Sequence, residues 1–98
     1  MILEHAVLAV VPGQEDAFQE AFNEAKSIIA NMGGFQGLTL LRSIERPNTY
    51  LLLVRWNQLS DHTEGFRQSV EYQRWRQLLH HFYDPLPVVE HYEKVLTA

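Results

Sequence analysis

The sequence predicts one α+β domain whose four strands and two helices follow the order β-α-β-β-α-β. Three observations predict this class: apolar runs rich in Val and Leu, two stretches with apolar residues at three- and four-residue spacing, and Gly, Pro or Asn between them. The 98 residues fit a single core, because domains typically span about 50 to 200 residues. We therefore treat residues 1–98 as one domain.

The first half of the chain predicts a strand, a helix and a second strand. The run from Ile2 to Val11 is rich in Val, Leu and Ala, and Pro12-Gly13 ends it. A helix is expected next and should end at Gly33-Gly34, since glycine accepts the left-handed conformation common at helix ends. Its apolar stripe consists of Phe18, Ala21, Phe22, Ala25, Ile28, Ile29 and Met32. The chain then extends again from Phe35 to Ile44.

A hairpin and a short helix are predicted next. Arg46-Pro47-Asn48 is typical turn chemistry and leads into a strand from Thr49 to Trp56. A short helix should run from His62 to Gln68. Either Ser60 or Asp61 is suited to cap it, because Asp61 stands three residues before a glutamate in capping-box spacing.

A second long helix and a last strand complete the predicted domain. Ser69 offers the helix cap, and the stripe that follows is Trp75, Leu78, Leu79 and Phe82. The prolines of residues 84–87 end this helix. The last strand is expected from Val88 to Leu96. This order is that of a ferredoxin-like fold, in which two helices cover one face of a four-stranded antiparallel sheet.

The predicted strands are apolar on both faces, although helices would cover only one. Residues 6–11 and 50–54 are apolar without interruption. Leaving four such Leu or Val side chains in water would forfeit roughly 6 to 12 kcal/mol, at about 1.5 to 3 kcal/mol each. The whole stability of a small domain is about 5 to 15 kcal/mol. We therefore expect a homodimer whose second copy covers the bare face, the alternative being an apolar face left in water.

Composition narrows the classes of partner. The chain has eight Lys and Arg residues and twelve Asp and Glu residues. The resulting net charge of −4 disfavours binding to nucleic acid. Because the chain has no Cys, disulfides, thiolate metal sites and cysteine nucleophiles are excluded. No apolar run approaches the roughly 18 residues of a membrane span. We expect a cytoplasmic protein that does not enter membranes.

Three residues are candidates for chemistry on a small ligand. His62 falls in the first turn of the predicted short helix, where the helix dipole favours a neutral imidazole that can accept a proton. Trp56 ends the third strand and would contact either ligand or core. Arg76 lies beside the apolar stripe of the second helix and would reach an anionic ligand or solvent. For His62 the alternative is a solvated surface histidine.

Glu4 and His91 form a second candidate group. They lie on the first and last strands, which are neighbours in this topology. The two side chains would line a pocket or satisfy each other at the sheet surface. No metal site is expected, since His80 and His81 are adjacent and diverge on a helix.

Two stretches resemble a known family, the antibiotic biosynthesis monooxygenase (ABM) domains. They are LLLVRWNQLSDHTEGFRQSVEYQRWRQLL, from Leu51 to Leu79, and the opening AVLAVVPGQEDAFQEAF. The resemblance implies a dimeric α/β barrel. It also implies, from the best understood members, oxidation of polycyclic phenols to quinones by dioxygen without metal or flavin. The protein would then supply a base, orientation and a dry pocket.

The resemblance also implies positions for the site residues. A Trp of the quinone-forming members matches Trp56, their Tyr six residues later falls at His62, and an Arg of the second helix falls at Arg76. Their Asn four residues before the Trp is Leu52 here. The base would then be His62, with Trp56 and Arg76 positioning the substrate, and Leu52 is expected to contact it.

A haem-degrading branch of the same family uses an Asn, a Trp and an axial His. These fall near Ala6, Phe66 and Arg76, so none of the three types is kept and haem binding is not expected. Phe66 is expected to line the pocket instead. Two functions stay open: a cofactor-independent monooxygenase acting on a small hydroxylated aromatic, and a non-catalytic dimer that binds a metabolite as sensor or carrier. Leu52, where catalysis would favour an amide, supports the second.

Overall fold

In the computed structural model, which describes residues 1–98, four strands and two α-helices follow the predicted order. The strands form one antiparallel sheet with the order β2-β3-β1-β4. The expected ferredoxin-like α+β fold is therefore confirmed. The elements are β1 (Ile2–Ala9), α1 (Glu15–Ala30), β2 (Phe35–Arg42), β3 (Thr49–Trp56), a π-helical segment (Asp61–Phe66), α2 (Val70–Leu79), a 3-10 turn (His80–Phe82) and β4 (Val89–Tyr92).

The last strand is shorter than predicted. We expected a strand from Val88 to Leu96, but β4 ends at Tyr92. The register explains the difference, because Tyr92 pairs with Leu3 and β1 begins only one residue before Leu3. Residues after Tyr92 therefore run past the end of β1. Strand β1 is shorter than predicted as well, because it ends at Ala9 rather than at residue 11.

The second strand is also shorter, and the predicted short helix is of another kind. Strand β2 ends at Arg42 instead of Ile44. Residues 61–66 form a π-helical segment, in which the N–H of Arg67 donates to the carbonyl of His62 at 3.0 Å. Ser60 makes no capping bond. Asp61 does not cap a helix either, since its carboxylate accepts the Gln58 N–H at 2.9 Å.

The two α-helices begin as their sequences predict. The first turn of α1 carries Glu15 and Asp16, where negative charge is favoured. Ser69 caps α2, because its hydroxyl oxygen accepts the N–H of Tyr72 at 3.1 Å. No helix of the protein combines the length and apolarity that crossing a bilayer requires.

Gly34 holds the π-helical segment close to the sheet. Its φ of +83° is a conformation that glycine adopts readily. A Cβ at this position would overlap the carboxylate of Asp61, the first residue of the segment. The Gly34 carbonyl also accepts the N–H of Asn57 at 2.9 Å, just after β3. Gly34 thus lets the start of β2, the end of β3 and the π-helical segment approach one another.

The inner face of the sheet and the helices enclose the core. Inward residues of β1 alternate as Glu4, Ala6 and Leu8, and those of β3 as Tyr50, Leu52, Val54 and Trp56. Phe18 of α1 is fully buried against Tyr50, with ring centroids 4.9 Å apart. The same two strands therefore line both ends of the interior.

The outer face of the sheet is largely apolar and has no covering element in the single chain. Leu51 of β3 pairs with Val7 on one side and Leu41 on the other, and both neighbours are 46 % exposed. His5 lies on the same face, and its Nδ1 is buried without a hydrogen-bond partner. This face is the one that a second copy was expected to cover.

Candidate functional site

A cavity of about 250 Å³ lies between the sheet and the helical layer. Strands β1, β3 and β4 form one wall, and the π-helical segment, α2 and residues 83–87 form the other. Most of the lining is apolar or aromatic, which is typical of small-molecule sites. The lining residues are Glu4, Ala6, Leu8, Leu52, His62, Phe66, Arg67, Tyr72, Trp75, His80, Tyr83, Leu86, Pro87 and Val89.

Glu4 is the buried carboxylate of this cavity. It points inward from β1 and is 5 % exposed. Its Oε1 accepts the indole N–H of Trp56 at 2.9 Å and lies 3.3 Å from His62 Nε2. Both contacts use Oε1, so Oε2 is the oxygen without a protein partner. Burial raises the pKa of Glu4, and the Trp56 hydrogen bond and the Arg67 charge oppose that rise only in part.

His62 is the buried histidine beside Glu4. The π-helical segment places its ring flat on Trp56, with centroids 5.5 Å apart and an interplanar angle of 20°. Burial, together with the charges of Arg67 and His91, lowers the pKa of His62 to about 3. The ring is therefore neutral at pH 7, and its contact with Glu4 is not an ion pair. The neutral imidazole expected from the sequence thus arises mainly from burial.

His91 extends the polar group towards the surface. In the strand register His91 of β4 lies directly opposite Glu4 of β1. The two side chains do not bond each other. Instead His91 Nε2 lies 2.8 Å from His62 Nδ1, so His62 stands between them. His91 is half-buried, and burial lowers its pKa, as does the nearby Arg67 charge.

Arg67 supplies positive charge at the cavity. It is the one Lys or Arg among the lining residues, and it is an exposed residue. Its charge acts on Glu4, His62 and His91, whose pKa values it lowers. An anionic group of a ligand at this end of the cavity would be attracted to it.

The residues expected from the sequence divide into three groups. Glu4, Trp56, His62 and His91 come together in one connected cluster. Leu52 and Phe66 are cavity-lining residues, on β3 and in the π-helical segment. Arg76 lies exposed on α2, outside the cavity lining, where its charge adds to burial in lowering the pKa of His80.

Arg67 was not predicted from the sequence. The signal that could have found it is its spacing of five residues from His62, which places both residues on one side of a π-helix but not of an α-helix. Trp56 differs from the expectation in another way. Its N–H holds Glu4 and its ring supports His62, while it is not itself among the lining residues.

The cluster has the parts of a proton-accepting site and not those of a metal centre. No group of three or more His, Cys, Asp or Glu side chains comes together in a way that could hold a metal ion. A carboxylate with one free oxygen, a neutral histidine and an apolar wall are suited to removing a proton from a bound ligand.

Known proteins are similar to this chain in sequence and in fold. Residues 1–78 match the family described as antibiotic biosynthesis monooxygenase, ABM. YczJ, an uncharacterized protein of Bacillus subtilis, is 48% identical over 95 residues, covering 97% of this chain and 100% of that protein. The structure of a candidate antibiotic biosynthesis monooxygenase from Bordetella bronchiseptica is 38% identical, with a TM-score of 0.93 and 97% of each chain covered.

A more distant structure shares the fold alone. SnoaB of Streptomyces nogalater, a cofactor-independent oxygenase, is 19% identical to this chain. Its TM-score is 0.75, and the match covers 98% of this chain and 95% of SnoaB.

Proposed function

This chain belongs to the antibiotic biosynthesis monooxygenase (ABM) domain family, and we propose that it is a cofactor-independent monooxygenase acting on a small hydroxylated aromatic. The family supports oxygen chemistry. SnoaB, a cofactor-independent oxygenase, supports the absence of a bound cofactor. The observation that carries the proposal is Glu4, a buried carboxylate that lines an apolar cavity and has one oxygen without a protein partner.

Glu4 accepts the proton of the substrate hydroxyl in this proposal. The role of base that the sequence suggested for His62 passes to Glu4, because both ring nitrogens of His62 already face protein partners. The raised pKa of Glu4 brings it closer to that of a phenol, which favours proton transfer. Trp56 holds the carboxylate in place through its N–H.

The reaction balances with dioxygen as the only oxidant. A phenol with a free para C–H and one O2 give a quinone and one water. One oxygen atom becomes the new ring carbonyl. The other leaves as water with the two hydrogens lost from the hydroxyl and the C–H, while four electrons pass from ring to dioxygen. Deprotonation by Glu4 makes the ring electron-rich enough to reduce dioxygen, and Arg67 favours the resulting anion through its charge.

The cavity limits the size of the substrate. A dry cavity of about 150 Å³ holds one benzene ring. The cavity of about 250 Å³ in this protein therefore suits one or two rings. Leu52, Phe66 and Trp75 offer apolar and aromatic surface to such a ring. We therefore propose a monocyclic or bicyclic phenol with a free para C–H as the substrate class.

Oxygen uptake in metal-free, chelator-treated buffer tests the proposal. The panel contains a monocyclic phenol, the bicyclic 1-naphthol and a tetracyclic phenol, each with a free para C–H and each supplied with isotopically labelled dioxygen. We expect label in the quinone from the first two compounds only. Absence of uptake with every compound, or label appearing only in water, would contradict the proposal.

The second candidate function is a metabolite-binding dimer without turnover. Leu52 favours it, because this apolar residue stands where the quinone-forming relatives carry an amide. Saturable quenching of tryptophan fluorescence by the naphthol, without oxygen uptake, would decide for this function, since Trp75 lines the cavity.

We also propose that the protein is a homodimer joined through the outer face of the sheet. The row formed by Val7, Leu51 and Leu41 is apolar and partly exposed, and burying it would be favourable.

A charged substitution tests the dimer. We expect Leu51→Lys to be monomeric at micromolar concentration by light scattering, because a lysine in the middle of the row would have to be buried unpaired. Gln73→Lys on the exposed surface of α2 should remain dimeric. A wild-type protein that is monomeric at micromolar concentration would contradict the dimer.

A further inference from the structure

We propose that His62 and His91 form a proton path from Glu4 to solvent, with His91 as its outer end. The inference rests on the proposed function in that it assigns an exit to the proton that Glu4 accepts. Glu4 and His62 are 5 % and 3 % exposed, so neither contacts bulk water once a ligand fills the cavity that they line. His91 is half-buried and reaches the surface from β4.

The three side chains are joined by two contacts that share His62. His62 Nε2 lies 3.3 Å from Glu4 Oε1. His62 Nδ1 lies 2.8 Å from His91 Nε2. A neutral imidazole has one N–H and one acceptor nitrogen, so a proton arriving at one nitrogen can leave from the other. The ring of His62 therefore connects a buried carboxylate with a more exposed histidine.

Hydrogen-bond complementarity allows two arrangements of protons. When Glu4 is ionised, His62 donates from Nε2 to Glu4 and accepts at Nδ1 from His91 Nε2–H. The Nδ1 of His91 is then the outermost acceptor. When Glu4 carries a proton on Oε1, His62 accepts it at Nε2 and donates from Nδ1 to His91 Nε2, while His91 bears its proton on Nδ1.

One concerted shift connects these arrangements. The Glu4 proton moves to His62 Nε2, the His62 Nδ1 proton moves to His91 Nε2, and the His91 Nδ1 proton leaves to water. Each ring gains one proton and loses one, so neither becomes a stable imidazolium in a site that disfavours that charge. A proton taken up on Oε2 reaches the path after a half-turn of the carboxyl group, which exchanges the two oxygens.

In the empty site, the proton of Glu4 could leave through the cavity, by the route that the substrate enters, and His91 would not be needed. A bound ring closes that route, because it occupies the space beside Glu4 Oε2 and excludes water. The path through His62 and His91 begins at the other oxygen, Oε1, so it stays connected while the substrate is bound.

The first test does not depend on turnover. The exchange of the His62 ring N–H with solvent is measured by nuclear magnetic resonance on histidine-labelled protein, kept under nitrogen with the bicyclic naphthol bound, so that the cavity route is closed and no oxygen reacts. The His91→Gln variant keeps an N–H that can donate to His62 Nδ1 but has no second ring nitrogen to pass a proton on. We expect exchange to slow by about tenfold or more, because the remaining route is local opening of the protein. His81→Gln, an exposed histidine outside the cluster, is the matched control.

The second test measures turnover. We expect His91→Gln to lower kcat by about tenfold or more with KM little changed, because proton transfer and not binding is affected. In His91→Ala, added imidazole should restore part of the lost rate. His62 exchange that is as fast in His91→Gln as in the wild type would overturn the path. Slowed exchange in a protein that consumes no oxygen would uphold the path and refute the monooxygenase.

Discussion

The two ends of the interior are lined by alternate residues of the same strands, yet they have opposite chemistry. Under α1, the rings of Phe18, Phe22, Tyr50 and Phe82 pack at centroid distances of 4.9 to 5.7 Å around Phe18. Under the π-helical segment, the same sheet face carries a buried carboxylate and a buried histidine beside a cavity. One end is filled, and the other holds a cavity with a few buried polar groups in its largely apolar wall.

This difference separates stability from function. Packed aromatic rings stabilise a fold by burial and contact. A buried carboxylate and a neutral histidine are instead costly to desolvate, and perturbed pKa values of this kind concentrate at functional sites. We infer that the α1 end supplies most of the stability, and that the cavity end lowers stability in exchange for reactivity.

The largest expected effect on stability is at the packed end. Phe18→Ala should lower the free energy of unfolding by about 3 to 5 kcal/mol, because Phe18 is fully buried and the ring leaves a cavity. Urea unfolding measures the change. Val70→Ala, at a site 78 % exposed, should stay within about 0.5 kcal/mol of the wild type. A Phe18→Ala loss as small as that of the control would erase the contrast between the two ends.

The next effect is the acid sensitivity of His62. Its pKa is about 3 in the folded protein and 6.5 when unfolded, so folding favours the neutral ring. The stability it contributes is present above pH 6.5 and is lost as pH falls towards 3. Between pH 7 and pH 5 the wild type should lose about 2 kcal/mol from this residue. His62→Gln should lack that part of the slope in urea unfolding at the two pH values, and an equal slope would show that His62 is not buried neutral.

A smaller effect of opposite sign is expected at Glu4. Because burial raises its folded pKa above 4.5, its contribution is fully present below pH 4.5 and is lost as pH rises through the folded value. Glu4→Gln keeps an oxygen for the Trp56 N–H and carries no charge. We expect this variant to be more stable than the wild type at pH 7 and to lose that advantage near pH 4. A variant that is less stable at pH 7 would contradict the view that the carboxylate destabilises the fold.

Strand periodicity made much of this contrast predictable. The sequence patterns placed Glu4 on the first strand and His91 on the last. The predicted topology makes these two strands neighbours, and Glu4 does lie opposite His91. The cap at Ser69 followed from local chemistry. These features depend on nearest neighbours in the chain or on strand order, which composition and spacing encode.

The arrangement of the cluster was not predictable in the same way. That His62 stands between Glu4 and His91 depends on how the π-helical segment settles on the sheet, with Gly34 permitting its close approach to β2. The wider turn of that segment also brings Arg67, rather than the expected Arg76, to the cavity. Spacing rules for α-helices do not describe such a turn, so the identity of the cationic residue was missed.

The most direct test of the account is the oxygen-uptake rate of Glu4→Gln with a bicyclic naphthol at pH 7. The variant should fold with at least the stability of the wild type and yet lose about 10² to 10⁴-fold in kcat, since it keeps the shape of the site without its proton acceptor. The exposed Glu64→Gln should match the wild type. Uptake by Glu4→Gln at the wild-type rate would contradict the central claim that the polar end of the interior exists for this chemistry.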